Sequence, residues 1–330
     1  MANLVWLQGG GCTGDSMSFL NADQPNVVEA ITKLGMKVAF HPTICPQTGE
    51  EAMAILERFA RGEEQLDILA VEGSVELGPN GTGNYSTVGD RPFKDILKEL
   101  AEVAQITVAI GTCASFGGIP AAPPNPTDAT GLQFHKWEKG GFLGVDYKAK
   151  SGIPVINIAG CPAHPDWILH TLTAVLQGKG DWIELDEYQR PHEFYGVTTH
   201  EGCSRNEYFD YKVSAKAPSE EGCLYMYLGC KGPFVFADCN IRLWNRQSSC
   251  TRGGAPCIGC AQPGFPEDTF PFYEFTRLAV DGCRKVPYLG LTALAKFACP
   301  KRLRKEAAIP SAIKDGLHFL SAELHKLTRP

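Results

Sequence analysis

The chain lacks an excess of positive charge: 31 Lys and Arg stand against 37 Asp and Glu, a formal charge of -6 over 330 residues. That removes the electrostatic footprint for wrapping DNA, RNA or an anionic membrane, so no nucleic-acid partner is expected. Long apolar runs are missing as well. No stretch approaches the roughly 20 apolar residues of a membrane-spanning helix. Met1 to Trp6 enters a strand-like run without the basic and apolar segments of a secretion signal. A cytoplasmic protein is expected, with at most peripheral membrane association. Repeats and low-complexity tracts are absent, and no group of nucleophile, base and oxyanion donors stands out.

What the chain does have is cysteine, in an uneven distribution. Its 13 cysteines are too few for a disulfide-built scaffold of this length and too many for ordinary packing in a reducing compartment. Residues 1–200 hold only Cys12, Cys45, Cys113 and Cys161, whereas Cys203, Cys223, Cys230, Cys239, Cys250, Cys257 and Cys260 crowd the next segment. Thiols gathered in this way are soft ligands for zinc or iron-sulfur centres.

The length suggests two domains, and the texture changes where a boundary would fall. Apolar, branched runs at 3–8, 36–40, 67–71, 106–110 and 153–158 alternate with amphipathic segments at 25–34, 49–60 and 92–104, and another follows at 165–176. This alternation predicts an α/β domain over 1–185, a flavodoxin-like, doubly wound parallel sheet. Within 186–330, Gly, Pro, Cys and aromatic residues from 202 to 273 show no sustained period. The second domain is therefore read as irregular and held by metal ligation, with a basic, helix-like tail over 301–330 and a hinge within 179–199.

The loop after the first run formally satisfies G-x-G-x-x-G through Gly9, Gly11 and Gly14. Nucleotide binding is the weaker reading, because Asp15 puts negative charge where a pyrophosphate would lie and the second run ends Phe40-His41-Pro42 without a ribose-binding acid. Position gives a better account. Cys12, Cys113 and Cys161 each follow a predicted strand with glycine close by, so three thiols are expected to converge on the carboxyl edge of the sheet. Asp15, at C-x-x-D spacing from Cys12, is read as the fourth ligand of a cluster, with a helix N-cap as its alternative role. His200, Cys203, Cys223, Cys230, Cys239, Cys250, Cys257 and Cys260 form two further sets of four, unless His200 is merely an exposed loop histidine. Cys45, Cys283 and Cys299 are left over as ordinary thiols. Ligand count alone does not separate zinc from iron-sulfur centres; three sites in series suit electron transfer.

The motifs Cys12-Thr13-Gly14, Glu72-Gly73-Ser74, Gly111-Thr112-Cys113, Gly160-Cys161-Pro162, His200-x-x-Cys203, Gly229-Cys230-Lys231-Gly232-Pro233 and Pro256-Cys257-Ile258-Gly259-Cys260 together resemble the small, electron-transferring subunit of nickel-iron hydrogenases. The resemblance implies a proximal cluster on Cys12, Cys113 and Cys161, facing a nickel-iron centre on a separate large subunit. It also implies a distal cluster on His200, Cys203, Cys223 and Cys230 and a medial one on Cys239, Cys257 and Cys260. Two positions depart from most of that family. Asp15 stands where cysteine is usual, which is similar to the actinobacterial-type, oxygen-tolerant branch, and Cys250 stands where many relatives carry proline. Three 4Fe-4S clusters are expected, the medial one being 3Fe-4S if Cys250 does not ligate. A dimer of heterodimers and an electron acceptor of unknown identity complete the expectation. The alternatives are an iron-sulfur subunit of another redox complex and a structural zinc protein.

Overall fold

A computed structural model describes residues 1–269 and 272. Five strands, β1 (Ala2–Gln8), β2 (Met36–Phe40), β3 (Ile68–Glu72), β4 (Ile106–Ile110) and β5 (Ile156–Ile158), form one sheet. All pairs are parallel, in the spatial order β2-β1-β3-β4-β5, which is the flavodoxin-like winding expected. β3 and β4 are buried along their whole length, as strands covered on both faces must be.

Alternate side chains divide into two cores. Leu4, Trp6, Ile68, Ala70, Val108 and Ile158 face one way, with α1 (Gly14–Leu20), α2 (Val27–Thr32) and α6 (Pro165–Leu176) over them. Val5, Leu7, Leu69, Val71 and Ala109 face the other way, beneath α3 (Gly49–Ala60) and α4 (Phe93–Val103). The first core continues into the second half of the chain through Phe194, Tyr195, Leu224, Leu228, Val235 and Ala237. The cysteine-rich part therefore shares apolar contacts with the sheet.

Local chemistry sets the element ends. Asn26 accepts from Glu29 N at 2.9 Å while Glu29 reaches back to Asn26 N, so α2 begins at Val27 rather than at Pro25. β5 begins three residues later than its apolar run, because Pro154 has no N–H for the ladder and Val155 N donates instead to Gln133 Oε1 at 3.1 Å. Beyond β5 and α6 the described chain holds only short helices, among them α7 (His192–Tyr195), α8 (Asn206–Asp210) and α9 (Tyr225–Leu228), joined by turns. The predicted basic tail over 301–330, with Cys283 and Cys299, lies outside the described residues.

Candidate functional site

The strand order reverses between β1 and β3, so their carboxyl ends open the crevice where function collects in this winding. Glu72, the last residue of β3, is 2 % exposed, and its carboxylate accepts from Asp15 N at 2.9 Å and Ser16 N at 3.1 Å. Trp6 Nε1 and the Ser16 hydroxyl donate to it as well. The chain's own carboxylate thus fills the anion position at the start of α1. Gly10 meanwhile exchanges both backbone bonds with Ser74, at 2.9 and 2.8 Å. The glycine loop has committed these donors internally, and this is the physical reason the nucleotide reading fails.

Around this point stand Cys12, Asp15, Cys113 and Cys161. Asp15 is not a cap: Thr13 occupies the N-cap position of α1, and Asp15 Oδ1 accepts from Ala163 N at 2.7 Å in the loop after Cys161. Burial pushes its carboxyl up to about 7, against the Ala163 bond and with the charge of Glu72 adding to the rise. Burial pushes the Cys113 thiol up to about 12, with Asp15 and Cys12 contributing and Lys136 opposing. Cys161 also rises to about 12, through burial first and then Cys113, Asp15 and Cys12. The four groups thus lie within one another's fields. Glycine keeps the ground around them clear: a Cβ on Gly118 would sit 2.8 Å from Cys113 Sγ, and one on Gly14 3.1 Å from Cys12 Sγ.

In the second half, His200, Cys203, Cys223 and Cys230 line a single recess, together with Arg205 and Thr251. His200 is half-buried with its ring edge-on to Phe209, centroids 4.7 Å apart, so it is no free loop histidine. Burial holds its pKa below the usual value and favours the neutral imidazole, the form that binds metals. Backbone donors reach the sulfurs: Arg205 N lies 3.4 Å from Cys203 Sγ and Cys257 N 3.2 Å from Cys230 Sγ.

Cys239, Cys250, Cys257 and Cys260 are the third predicted set. Burial raises Cys239 to about 12, with Cys260 and Cys250 adding to it. Cys260 reaches about 12 by burial, opposed by a hydrogen bond from the Cys161 backbone and assisted by Cys250. Cys257 rises far above its usual value through burial, then through Cys230, Cys260 and Cys239. Cys45 lies half-buried in the loop after β2. Among the described residues, no three His, Cys, Asp or Glu side chains converge tightly enough to hold one metal ion.

Three residues matter here that ligand spacing could not reveal. Glu72 orders the start of α1. Buried Asn240 donates to Thr199 O at 2.6 Å and accepts from Thr251 Oγ1 at 2.8 Å, joining the loops beside His200 and Cys250. Arg205 spans three loops. Its closeness to Cys203 in sequence was the one available signal.

Residues 12–175 match the family described as NADH ubiquinone oxidoreductase, 20 Kd subunit, and residues 195–273 match the C-terminal family of the NiFe/NiFeSe hydrogenase small subunit. The F420 non-reducing hydrogenase II small subunit of Methanosarcina mazei is 42% identical over 295 residues, covering 82% of this chain and 75% of that protein. The periplasmic [NiFeSe] hydrogenase small subunit of Desulfomicrobium baculatum is 35% identical over 289 residues, covering 82% of this chain and 87% of its own length. Among solved structures, the actinobacterial-type NiFe-hydrogenase of Ralstonia eutropha H16 superposes with a TM-score of 0.78 at 32% identity, over 96% of this chain and 91% of that one. The first half alone would admit another redox complex, but the second half matches hydrogenases, and relatives above 30% identity extend over both. The chain belongs to the small subunits of nickel-iron hydrogenases.

Proposed function

We propose that the chain is the electron relay of its hydrogenase, with three iron-sulfur clusters in line. Cys12, Asp15, Cys113 and Cys161 hold the proximal one, Cys239, Cys250, Cys257 and Cys260 the medial one, and His200, Cys203, Cys223 and Cys230 the distal one. The observation that carries this reading is the 257–260 loop. At one end the Cys260 carbonyl accepts from the hydroxyl of Thr112, the neighbour of Cys113. At the other, Cys257 N donates to Cys230 Sγ and Cys257 O accepts from Lys231 N at 2.8 Å. One short loop therefore touches both neighbouring ligand sets.

The donor chemistry fits the group. Thiols buried until they titrate near 12 stay protonated unless a cation displaces the proton, and iron supplies that charge while thiolates supply soft ligation. Ten cysteines with Asp15 and His200 make three sets of four, and sites in series suit electron transfer better than a structural zinc ion. When bound, such clusters carry single electrons, here from hydrogen oxidised at a large-subunit nickel-iron site toward an acceptor. This chain's residues hold, shield and tune. Met17 and Leu20 on α1 and Ile119 beside Cys113 are 64, 50 and 53 % exposed, an apolar rim that suits cover by the large subunit.

Anaerobic isolation with a nickel-containing large subunit, followed by dye reduction under hydrogen, tests the reading. The complex is expected to be brown, with acid-labile sulfide and without a stoichiometric 3Fe-4S signal in oxidised EPR spectra, since Cys250 completes the medial set. A pale complex with zinc and no sulfide would reject the relay; a full 3Fe-4S signal would reject Cys250 alone. Asp15→Cys replaces a hard oxygen by soft sulfur at one iron. Redox titration is expected to show the proximal potential displaced by about 59 mV or more, a tenfold change in a one-electron equilibrium. The other two potentials should stay put, and displacement of all three would count against ligation by Asp15.

A further inference from the structure

Arg205 lies two residues beyond Cys203 and lines the recess shared by His200, Cys203, Cys223 and Cys230. Among the described residues its side chain makes three hydrogen bonds, all to backbone carbonyls. Nε donates to Thr251 O at 2.9 Å, and Nη1 donates to Glu220 O at 2.6 Å and Gly222 O at 2.7 Å. Its own backbone N–H points to Cys203 Sγ at 3.4 Å. Gly222 precedes Cys223, and Thr251 follows Cys250. One guanidinium therefore joins three segments far apart in the chain: those of Cys203, Cys223 and Cys250. Because carbonyls satisfy these donors, the fork is fixed without an ion pair to a carboxylate among the described residues, and a half-buried positive charge faces the recess.

We propose that Arg205 is a positioning residue that sets both the geometry and the reduction potential of the distal site, and that it ties this site to the loop supplying Cys250. The fork keeps Cys203 and Cys223 at fixed separation, as only a planar group with several rigid donors can. The charge favours the reduced, more negative state of whatever the four ligands hold, and so raises its potential. The Asn240 bonds to Thr199 O and Thr251 Oγ1 reinforce the same wall from its buried side. The inference rests on the reading that this recess holds an iron-sulfur cluster.

Two substitutions in the purified complex separate charge from fork. Arg205→Gln removes the charge and is expected to make the distal cluster about tenfold harder to reduce, ~59 mV for one electron, with proximal and medial potentials unchanged in EPR-monitored titration. Arg205→Lys keeps the charge and loses the fork. Its distal potential should stay near that of the parent protein, while a chelator extracts distal iron about tenfold faster, in the range typical of outer ligand-holding groups. A parent-like distal potential in Arg205→Gln overturns the proposal, and so does parent-like iron retention in Arg205→Lys. If Arg205→Gln assembles no distal cluster, Arg205→Lys decides: selective loss of distal iron supports the role, and loss that includes proximal iron overturns it. A parent complex with no distal signal at all would instead remove the relay reading beneath it.

Discussion

Gly111→Ala is expected to empty the proximal site and leave the medial and distal ones filled. Gly111 opens α5 (Gly111–Phe116) at the end of β4 with φ +84°, a left-handed conformation that costs a side-chain-bearing residue about 1–2 kcal/mol. The steric term is larger in consequence. A Cβ there would fall on the carboxylate of Asp15, 2.7 Å from its carbon. That carboxylate cannot simply swing away, because Asp15 is 8 % exposed, bonded to Ala163 N, and held at its backbone by Glu72. Either Asp15 abandons its place or the start of α5 shifts and takes Cys113 with it. Iron analysis should fall by one cluster's worth, the proximal EPR signal should vanish, and hydrogen-dependent dye reduction should drop at least about 100-fold, beyond the 10–100-fold typical of outer-ligand changes. Full iron with an unchanged proximal signal would show that Asp15 and Gly111 do not border a cluster.

Removing the iron altogether should loosen the second half of the chain before the first. Helices α7, α8 and α9 have four or five residues each, and α8 buries none of them. Isolated helices shorter than about 12–15 residues are marginal in water, so tertiary ties must hold this region. Structural metal binding is worth about 10–16 kcal/mol in small zinc peptides, comparable with the whole stability of a typical domain, about 5–15 kcal/mol. Hydrogen exchange after anaerobic chelation should therefore show protection lost over 200–232 and 239–260, with β1 to β5 still protected. The metal-free fold should also weaken in alkali. Its buried thiols rise from 9.0 to about 12, so protonated thiols stabilise the folded state fully below pH 9, and that contribution is lost as pH rises toward 12. A urea midpoint lower at pH 10 than at pH 8 would carry this signature. Unchanged protection over both segments after metal loss would mean that apolar packing alone supports them.

How far the sequence could be read depended on how local each feature was. α3 and α6 follow the amphipathic segments read at 49–60 and 165–176, because twelve residues suffice to display a helical face. α1 and α5 show no such face. Of the seven residues of α1, Gly14, Asp15, Ser16, Ser18 and Phe19 are buried, so polar side chains point inward and erase the period. β5 was overestimated because apolar character continues through Pro154 although the hydrogen-bond ladder cannot.

The amino-acid order by itself determined a parallel sheet with a thiol after three of its strands, and a later segment rich in soft ligands. Both are properties of periodicity and composition along short stretches. Only the tertiary structure decided that Asp15 turns to Ala163 rather than capping its helix, and that Glu72 closes the glycine loop against phosphate. It also decided that Cys257 and Cys260 face different neighbours and that Arg205 draws three loops together. The reason is distance along the chain. Cys161 and Cys260 meet across the contact between sheet and irregular region, and no spacing rule encodes a meeting produced by burying the first core.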